Sequence, residues 1–263
     1  MSPETFSYTI GPHGLWVRGD QPWHSQDLKV LREVLDEDCY RLASIERKRR
    51  APTVVDIGCH IGGFMLACHR RWPGMRYLGA DMNQQNANMA VKAAFGLDRM
   101  RYDARCAAVD YGCGKPTFFD SLADGGTATG ASRIEWSGLE QDWPGDHPVA
   151  VTKNAAPVIT LDDFVDAYLA KYDEIDILKL DCEGAEHRIV DGFRQWDRVG
   201  IVLVEYHGRE AWNQRITSHR VLGRWCRSRL SWREDKPIGV ERFVNPHIRC
   251  AFDTRKLVAA CTN

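Results

Sequence analysis

From Pro52 onward the chain alternates short apolar runs with helix-like ones, and this rhythm restricts the fold more than any other feature. TVVDIG (53–58) leads into FMLACHRRW, MRYLGAD (75–81) leads into NQQNANMAVKAAFG, and a third strand fits RCAAV near Cys106 to Val109. After an interruption the rhythm returns with TLDDFVDAYLAKY, the buried-type strand IDILKLD, a helix from Glu183 to Trp196, and the strand VGIVLVEYH. Alternation of this kind builds βαβ units around a parallel sheet covered on both faces. The expectation is an α/β domain, Rossmann-like, with a mostly parallel sheet flanked by helices.

Residues 1–50 precede the rhythm and read as a helical and loop appendage, a possible cover for an acceptor site, with residues 51–263 as the main domain. A helix-like run from Ser25 to about Arg50 places Leu28, Leu31, Leu35, Leu42 and Ile45 at helical spacings. The segment 111–157 is rich in Gly, Ser, Thr and Trp and reads as a hairpin or loop insertion. Its Trp136 and Trp143, with Trp16 and Trp23 of the appendage, are available to stack on an acceptor. Thr160 and Asp163 form a capping box, which gives Asp162 and Asp163 helix-start duty. The tail reads as a basic helix, roughly Ser218 to Leu230, with strand-like ends at ERFVN and RCAFD.

Charge narrows the partners. Lys plus Arg is 35 against 36 for Asp plus Glu, a formal net charge of −1, so the total offers no pull toward nucleic acid or a membrane surface. Twelve basic and five acidic residues fall between Arg209 and Lys256. That excess, like the RKRR run at 47–50, reads as a solvated helix and a helix end meeting its dipole. The nine cysteines include no CxxC pair, so neither a zinc site nor a thioredoxin-like motif is indicated and a reducing cytoplasm is the simplest setting. No basic head with an apolar stretch opens the chain, and no window approaches the ~18 apolar residues of a membrane span.

The chemistry gathers where strands end. Asp56-x-Gly58-x-x-x-Gly62 follows an apolar strand and precedes a helix, with glycines where the backbone turns and approaches a ligand. A dinucleotide loop would read G-x-G-x-x-G, whereas His60 stands two residues after Gly58. An acid two residues before the first glycine suits a cofactor with an ammonium group, such as the methionine end of S-adenosylmethionine. Asp81, at the end of the next strand, can accept hydrogen bonds from both ribose hydroxyls. Asp181 and Glu183, at the end of IDILKLD, should face the reacting group, and either could take a proton from an acceptor. Glu186 reads as a first-turn residue serving the helix dipole. His207, at the same sheet edge after Glu205 and Tyr206, could act as general base with its ordinary pKa of about 6.5. Asp181, Glu183 and His207 could in principle hold magnesium, but the imidazole suits a hard cation poorly, and no metal is expected.

VVDIGCHIGGF, YLGAD, TLDDF and DILKLDCEGAE, in this order and at these intervals, resemble the FkbM family of S-adenosylmethionine-dependent methyltransferases over roughly residues 50–207. The resemblance implies the class I methyltransferase fold and O-methylation of a sugar, polyketide or other secondary metabolite, with S-adenosylhomocysteine as product. By position, Asp56, Gly58 and Gly62 would hold the methionine end and Asp81 the ribose. Ala107, Ala108 and Asp110 would lie by the adenine. The chain has Gly58-Cys59-His60 where the family usually shows Gly-Ala-Asn, and Asp81-Met82 where it shows Glu-Pro, so the contacts of His60 and Met82 are its own. No Asn/Asp-Pro-Pro-Tyr/Phe loop follows the fourth strand, which argues against methylation of a nucleobase or amide nitrogen. The alternatives are an RNA methyltransferase, served by the basic tail, and a catalytically silent binding protein that keeps the fold.

Overall fold

A computed structural model describes residues 5–10, 13–18, 23–46, 51–95, 97, 101–112, 116–120, 133–136, 150–151, 156–170, 173–232, 238–248, 252–253 and 257–258. The chain opens with an antiparallel hairpin, β1 (Thr5–Ile10) and β2 (His13–Arg18), and helix α1 (Trp23–Leu35). There follow β3 (Thr53–Ile57), α2 (Gly63–Arg71), β4 (Arg76–Asp81), α3 (Gln84–Phe95), β5 (Arg101–Cys106) and the short β6 (Ala108–Val109). β7 (Pro116–Asp120), β8 (Arg133–Trp136) and β9 (Ala150–Val151) form a separate three-stranded sheet within the expected insertion. β10 (Val158–Ile159), α4 (Leu161–Tyr168), β11 (Ile175–Leu180), α5 (Glu186–Gly192), β12 (Val199–His207), α6 (Arg209–Ser218), β13 (Cys226–Trp232) and β14 (Ile238–Val244) complete it.

The central sheet has seven strands in the order β13-β14-β12-β11-β3-β4-β5. Strands β12 through β5 run parallel, and β14 runs antiparallel to both of its neighbours. The mostly parallel sheet is the one the strand–helix rhythm implies, and its seven strands agree with the class I methyltransferase fold that the resemblance implies. The chain works outward from β3 through β4 to β5, then returns to lay β11 on the other side of β3. Strand order therefore reverses between β3 and β11, and a crevice opens beyond their carboxyl ends.

β3 and β11 are buried along their whole length, as strands covered on both faces must be. Side-chain alternation sends Val54 to one face, with Leu31, Phe64, Met65 and Tyr77. It sends Val55 and Ile57 to the other, with Phe164, Ile189, Trp196 and Trp212. Val17 and Leu31 of the N-terminal segment are fully buried in the first of these clusters. Thr160 caps α4 as its sequence indicates, its Oγ1 accepting from Asp163 N at 3.0 Å.

Several elements depart from expectation, among them the third strand, which runs over Arg101–Cys106 rather than near Cys106 to Val109. α1 ends at Leu35 instead of running to Arg50, because the Asp38 carboxylate accepts from Leu42 N (2.7 Å) and Ala43 N (3.0 Å). Asp38 and Arg41 take left-handed backbone there, with φ of 48° and 53°. The RKRR run lies outside the described residues, as do Trp143 and the side chains of Trp16, Trp23 and Trp136. The basic helix of the tail is instead α6, placed earlier, followed by the strand β13. Pairing across β13 and β14 sets Arg227 on the buried Glu241 at 2.7 and 2.8 Å, a gain that a solvated helix would forgo. α5 is shorter than 183–196 because Glu183 and Gly184 adopt positive φ and form a turn before it. No helix among the described residues is long and apolar enough to cross a membrane.

Candidate active site

Two loops meet at the switch point. Gly58 turns the chain at φ +80°, and its amide donates to Ala80 O at 2.8 Å. A Cβ at this position would stand 1.7 Å from the Asp181 carbonyl oxygen, so only glycine lets β3 and β11 release their loops side by side. Gly62, at φ +93°, opens α2, and a Cβ there would press on Met65 Cε (3.1 Å) and Ala90 Cα (3.3 Å). Between the glycines His60 also has positive φ, 48°, and this turns its amide onto Asp81 Oδ2 at 2.8 Å. Its Nε2 lies 3.6 Å from Asp27 Oδ1 of α1.

Asp81 ends β4 inside this ring of donors. Oδ1 accepts from Asn83 N (2.8 Å) and Asn86 Nδ2 (3.3 Å). Burial pushes its carboxyl up to about 6, with the hydrogen bonds opposing that rise. The carboxylate is fixed in direction; Oδ1 already accepts from two donors, and Oδ2, with one, keeps a free lone-pair site.

The cleft has a volume of about 1000 Å3, counting the open space at its mouth. Its lining includes Gly58, His60, Asp81, Met82, Ala107 and Ala108 together with Asp181, Glu183, Glu205 and Tyr40. Five carboxylates line it, Glu33 being the fifth, and among the described residues no Lys or Arg does. Asp56, Gly62, Asp110 and His207 stand behind this wall rather than in it. Asp110 is engaged by Arg188, whose Nε and Nη2 donate to its two oxygens at 2.8 Å each.

Asp56 is fully buried and already has an ammonium partner within the chain. Lys179 Nζ lies 3.0 Å from Asp56 Oδ1, 3.0 Å from Gly58 O and 3.3 Å from Asp181 Oδ2, and the Tyr77 hydroxyl also donates to Asp56. Burial alone would push the Lys179 ammonium down, but Asp56 and Asp181 outweigh it and hold the amine protonated. The ammonium that the acid before Gly58 was expected to meet is thus that of Lys179. Asp56 ties β3 to β11 through Lys179, whose ammonium also donates to Gly58 O.

The loop after β11 is organised by Glu186. Its fully buried carboxylate accepts from Cys182 N (3.2 Å), Gly184 N (2.7 Å) and His207 Nδ1 (2.7 Å). Burial would raise the Glu186 pKa, yet His207 pulls it below the ordinary value. His207 Nε2 lies 3.3 Å from Glu183 Oε2, so both ring nitrogens face carboxylates. Burial would lower the imidazole pKa, but Glu183 and Glu186 drive it well above the usual value. His207 is therefore an imidazolium at neutral pH and cannot serve as the base expected of it; it positions Glu183 instead. Burial pushes Glu183 up to about 8 in spite of His207.

Tyr40 and Glu205 complete the site and were not among the expected residues. Glu205 ends an apolar strand by the rule that singled out Asp181. Tyr40 comes from the turn after α1, and nothing in its local sequence marks it. Ligand atoms of Asp181, Glu205 and His207 lie within 4.8 Å of one another, a spacing that a metal ion could use.

The profile of the Methyltransferase FkbM domain matches residues 56–228, the span that holds both loops and every strand from β4 to β12. The chain belongs to the FkbM methyltransferase family. Members use S-adenosyl-L-methionine, and the cradle at Gly58 and Asp81 fits that cofactor. Among curated proteins none matches the chain by sequence. Of solved structures, WbdD resembles this FkbM methyltransferase at 16% identity and a TM-score of 0.42 over 86% of the chain. A Pyrococcus abyssi tRNA (uracil-54, C5)-methyltransferase does so at 11% and 0.42 over 92%. A putative SAM-dependent methyltransferase from Streptococcus mutans does so at 9% and 0.48 over 93%. The FkbM chain spans 43%, 44% and 56% of the lengths of these three proteins.

Proposed function

We propose that this FkbM methyltransferase transfers a methyl group from S-adenosyl-L-methionine to a hydroxyl oxygen of a small molecule or glycan. The observation that carries the reading is that one cleft joins a ribose-type acceptor, Asp81, to the carboxylates Asp181 and Glu205. Gly58, His60 and Asp81 would hold the cofactor, with Met82, Ala107 and Ala108 lining the same cleft. When bound, the cofactor would supply an electrophilic sulfonium methyl for transfer to the acceptor oxygen, with S-adenosylhomocysteine as the leaving product. Asp181 takes the hydroxyl proton, since its carboxylate faces the cleft while His207 is already protonated. Glu183, steered by His207, and Glu205 orient the acceptor, and closeness of the two substrates supplies much of the rate.

A cleft lined by carboxyl groups and, among the described residues, by no Lys or Arg offers no cation to a phosphate backbone, so we do not favour RNA as acceptor. The free cysteines among the described residues fit a reducing cytoplasm. Metabolite and glycan profiles of cells with and without the gene test the reading. The expected result is a compound that lacks one CH2 when the gene is absent; methylated RNA as the sole difference would overturn it.

A further inference from the structure

Helix α1 and the turn after it reach the cleft from outside the span that matches the family, which begins at residue 56. Of the residues that line the cleft, Val30, Glu33, Val34, Cys39 and Tyr40 come from this segment. Val30, Glu33 and Val34 stand at i, i+3 and i+4, so they share one face of the helix. The neighbouring Leu31 turns into the core, 1% exposed, in one cluster with Phe64 and Met65. A Cβ on Gly63 would meet Leu31 Cδ2 at 3.0 Å, so α1 sits close on the start of α2.

Both ends of the segment are tied to the site. Asp27, fully buried in α1, has its Oδ1 3.6 Å from Nε2 of His60 in the loop after β3. In the turn after α1, the Tyr40 hydroxyl lies 3.3 Å from Asp181 Oδ2 and 3.4 Å from Glu205 Oε2. The segment thus runs along the cleft from the Gly58–Gly62 loop to the carboxyl groups of Asp181 and Glu205. Between these two anchors it presents Val30, which is half-buried, and Val34.

Valine offers a bound molecule apolar contact alone, and among the described residues no Lys or Arg lines the cleft to pair with an anion. We propose that Val30 and Val34 are specificity-determining residues that seat an apolar face of the acceptor. The acceptor is then an uncharged hydroxyl compound that has such a face, as a deoxysugar or polyketide ring does, and not a phosphorylated or fully hydroxylated sugar. The proposal rests on the reading of this cleft as the place of methyl transfer to a hydroxyl. A ring with a hydroxyl on every carbon would leave some of them against the two valines without a partner, which costs binding energy. The matched span supplies the cradle at Gly58 and Asp81; the wall that selects the acceptor lies outside it.

The test needs no natural acceptor. Protein with 13C methyl groups on Val and Ala, saturated with S-adenosylhomocysteine, is titrated by NMR with cyclohexanol, myo-inositol and cyclohexyl phosphate, which share one carbon ring. The Val30 and Val34 methyl signals are expected to shift saturably with cyclohexanol, and affinity for the other two compounds to be at least about tenfold weaker. In Val30→Thr, which keeps the shape but swaps a methyl for a hydroxyl, cyclohexanol affinity should fall about fourfold, the effect of one lost apolar group. Valine signals unmoved by cyclohexanol, or inositol or the phosphate bound as tightly as cyclohexanol, would overturn the proposal. Should Val30→Thr fail to fold, the wild-type titrations decide alone. Ala107 and Ala108 methyl signals that ignore S-adenosylhomocysteine while the valines still answer cyclohexanol would strike the cofactor reading and uphold the wall.

Discussion

His207 Nδ1 lies 2.7 Å from Glu186 Oε1, and this bond fixes the loop that delivers Asp181 and Glu183 to the cleft. Through it, a residue at the end of β12 controls the turn after β11. Replacing His207 with Gln leaves the buried Glu186 and Glu183 facing a neutral amide. The expected loss of stability near neutral pH is about 3 kcal/mol, typical of removing one partner of a buried ion pair. Because the imidazole pKa is raised by folding, its contribution is full below the unfolded value of about 6.5 and fades as pH rises through the folded value. Urea unfolding of wild type and variant should thus differ most at mildly acid to neutral pH and converge at alkaline pH. Activity lost with the same pH profile would agree with a positioning role; loss of only the acid limb would restore His207 as the base.

Gly58→Ala places a methyl group on the Asp181 carbonyl and imposes positive φ on alanine. The variant should lose several kcal/mol and show no cofactor binding. Gly62→Ala, whose nearest neighbours are the movable end of Met65 and the Cα of Ala90, should cost less, about 1–2 kcal/mol. Thermal melts of the two variants give the comparison, and equal effects would contradict the close approach of β3 and β11 at Gly58.

Affinity for S-adenosylhomocysteine should depend on pH through Asp81. Its carboxyl is pushed up to about 6, and the ionised form accepts from a ribose hydroxyl more strongly than the neutral acid does. Binding should be constant above neutrality and weaken as pH falls through about 6, in a calorimetric series. A series with no change across that range would place the ribose elsewhere.

The Asp181, Glu205 and His207 group should take up no divalent cation, because both imidazole nitrogens already face carboxylates and Lys179 supplies a positive charge beside Asp181. Titration of magnesium into the protein saturated with S-adenosylhomocysteine should show no binding heat, and methyl transfer should survive a chelator. Saturable magnesium binding that is lost in Glu205→Gln would make this a metal site.

What the sequence made legible is what depends on local pattern. The strand–helix rhythm, the Thr160 cap, Gly58 and the acids at strand ends follow from periodicity and from which residues tolerate a turn. Side-chain partnerships across the sheet do not. Asp56 looked like a ligand because Lys179 is distant in sequence, and only the parallel register of β3 and β11 pairs the two residues. His207 looked like a free base because Glu183 and Glu186 meet it only once the loop has folded back. Tyr40 lies in a turn whose path is set by Asp38, in a stretch whose leucine spacing alone continues a helix. The strand β13 was hidden because its arginines resemble a solvated helix until Glu241 is brought opposite them.

Calorimetric titration of S-adenosylhomocysteine into the wild-type protein and Asp81→Ala tests the central claim most directly. The account predicts saturable one-to-one binding by the wild type and an affinity at least about tenfold weaker in the variant, as loss of a ribose hydrogen bond to a charged group requires. No binding by the wild type, or equal affinity in Asp81→Ala, would contradict it.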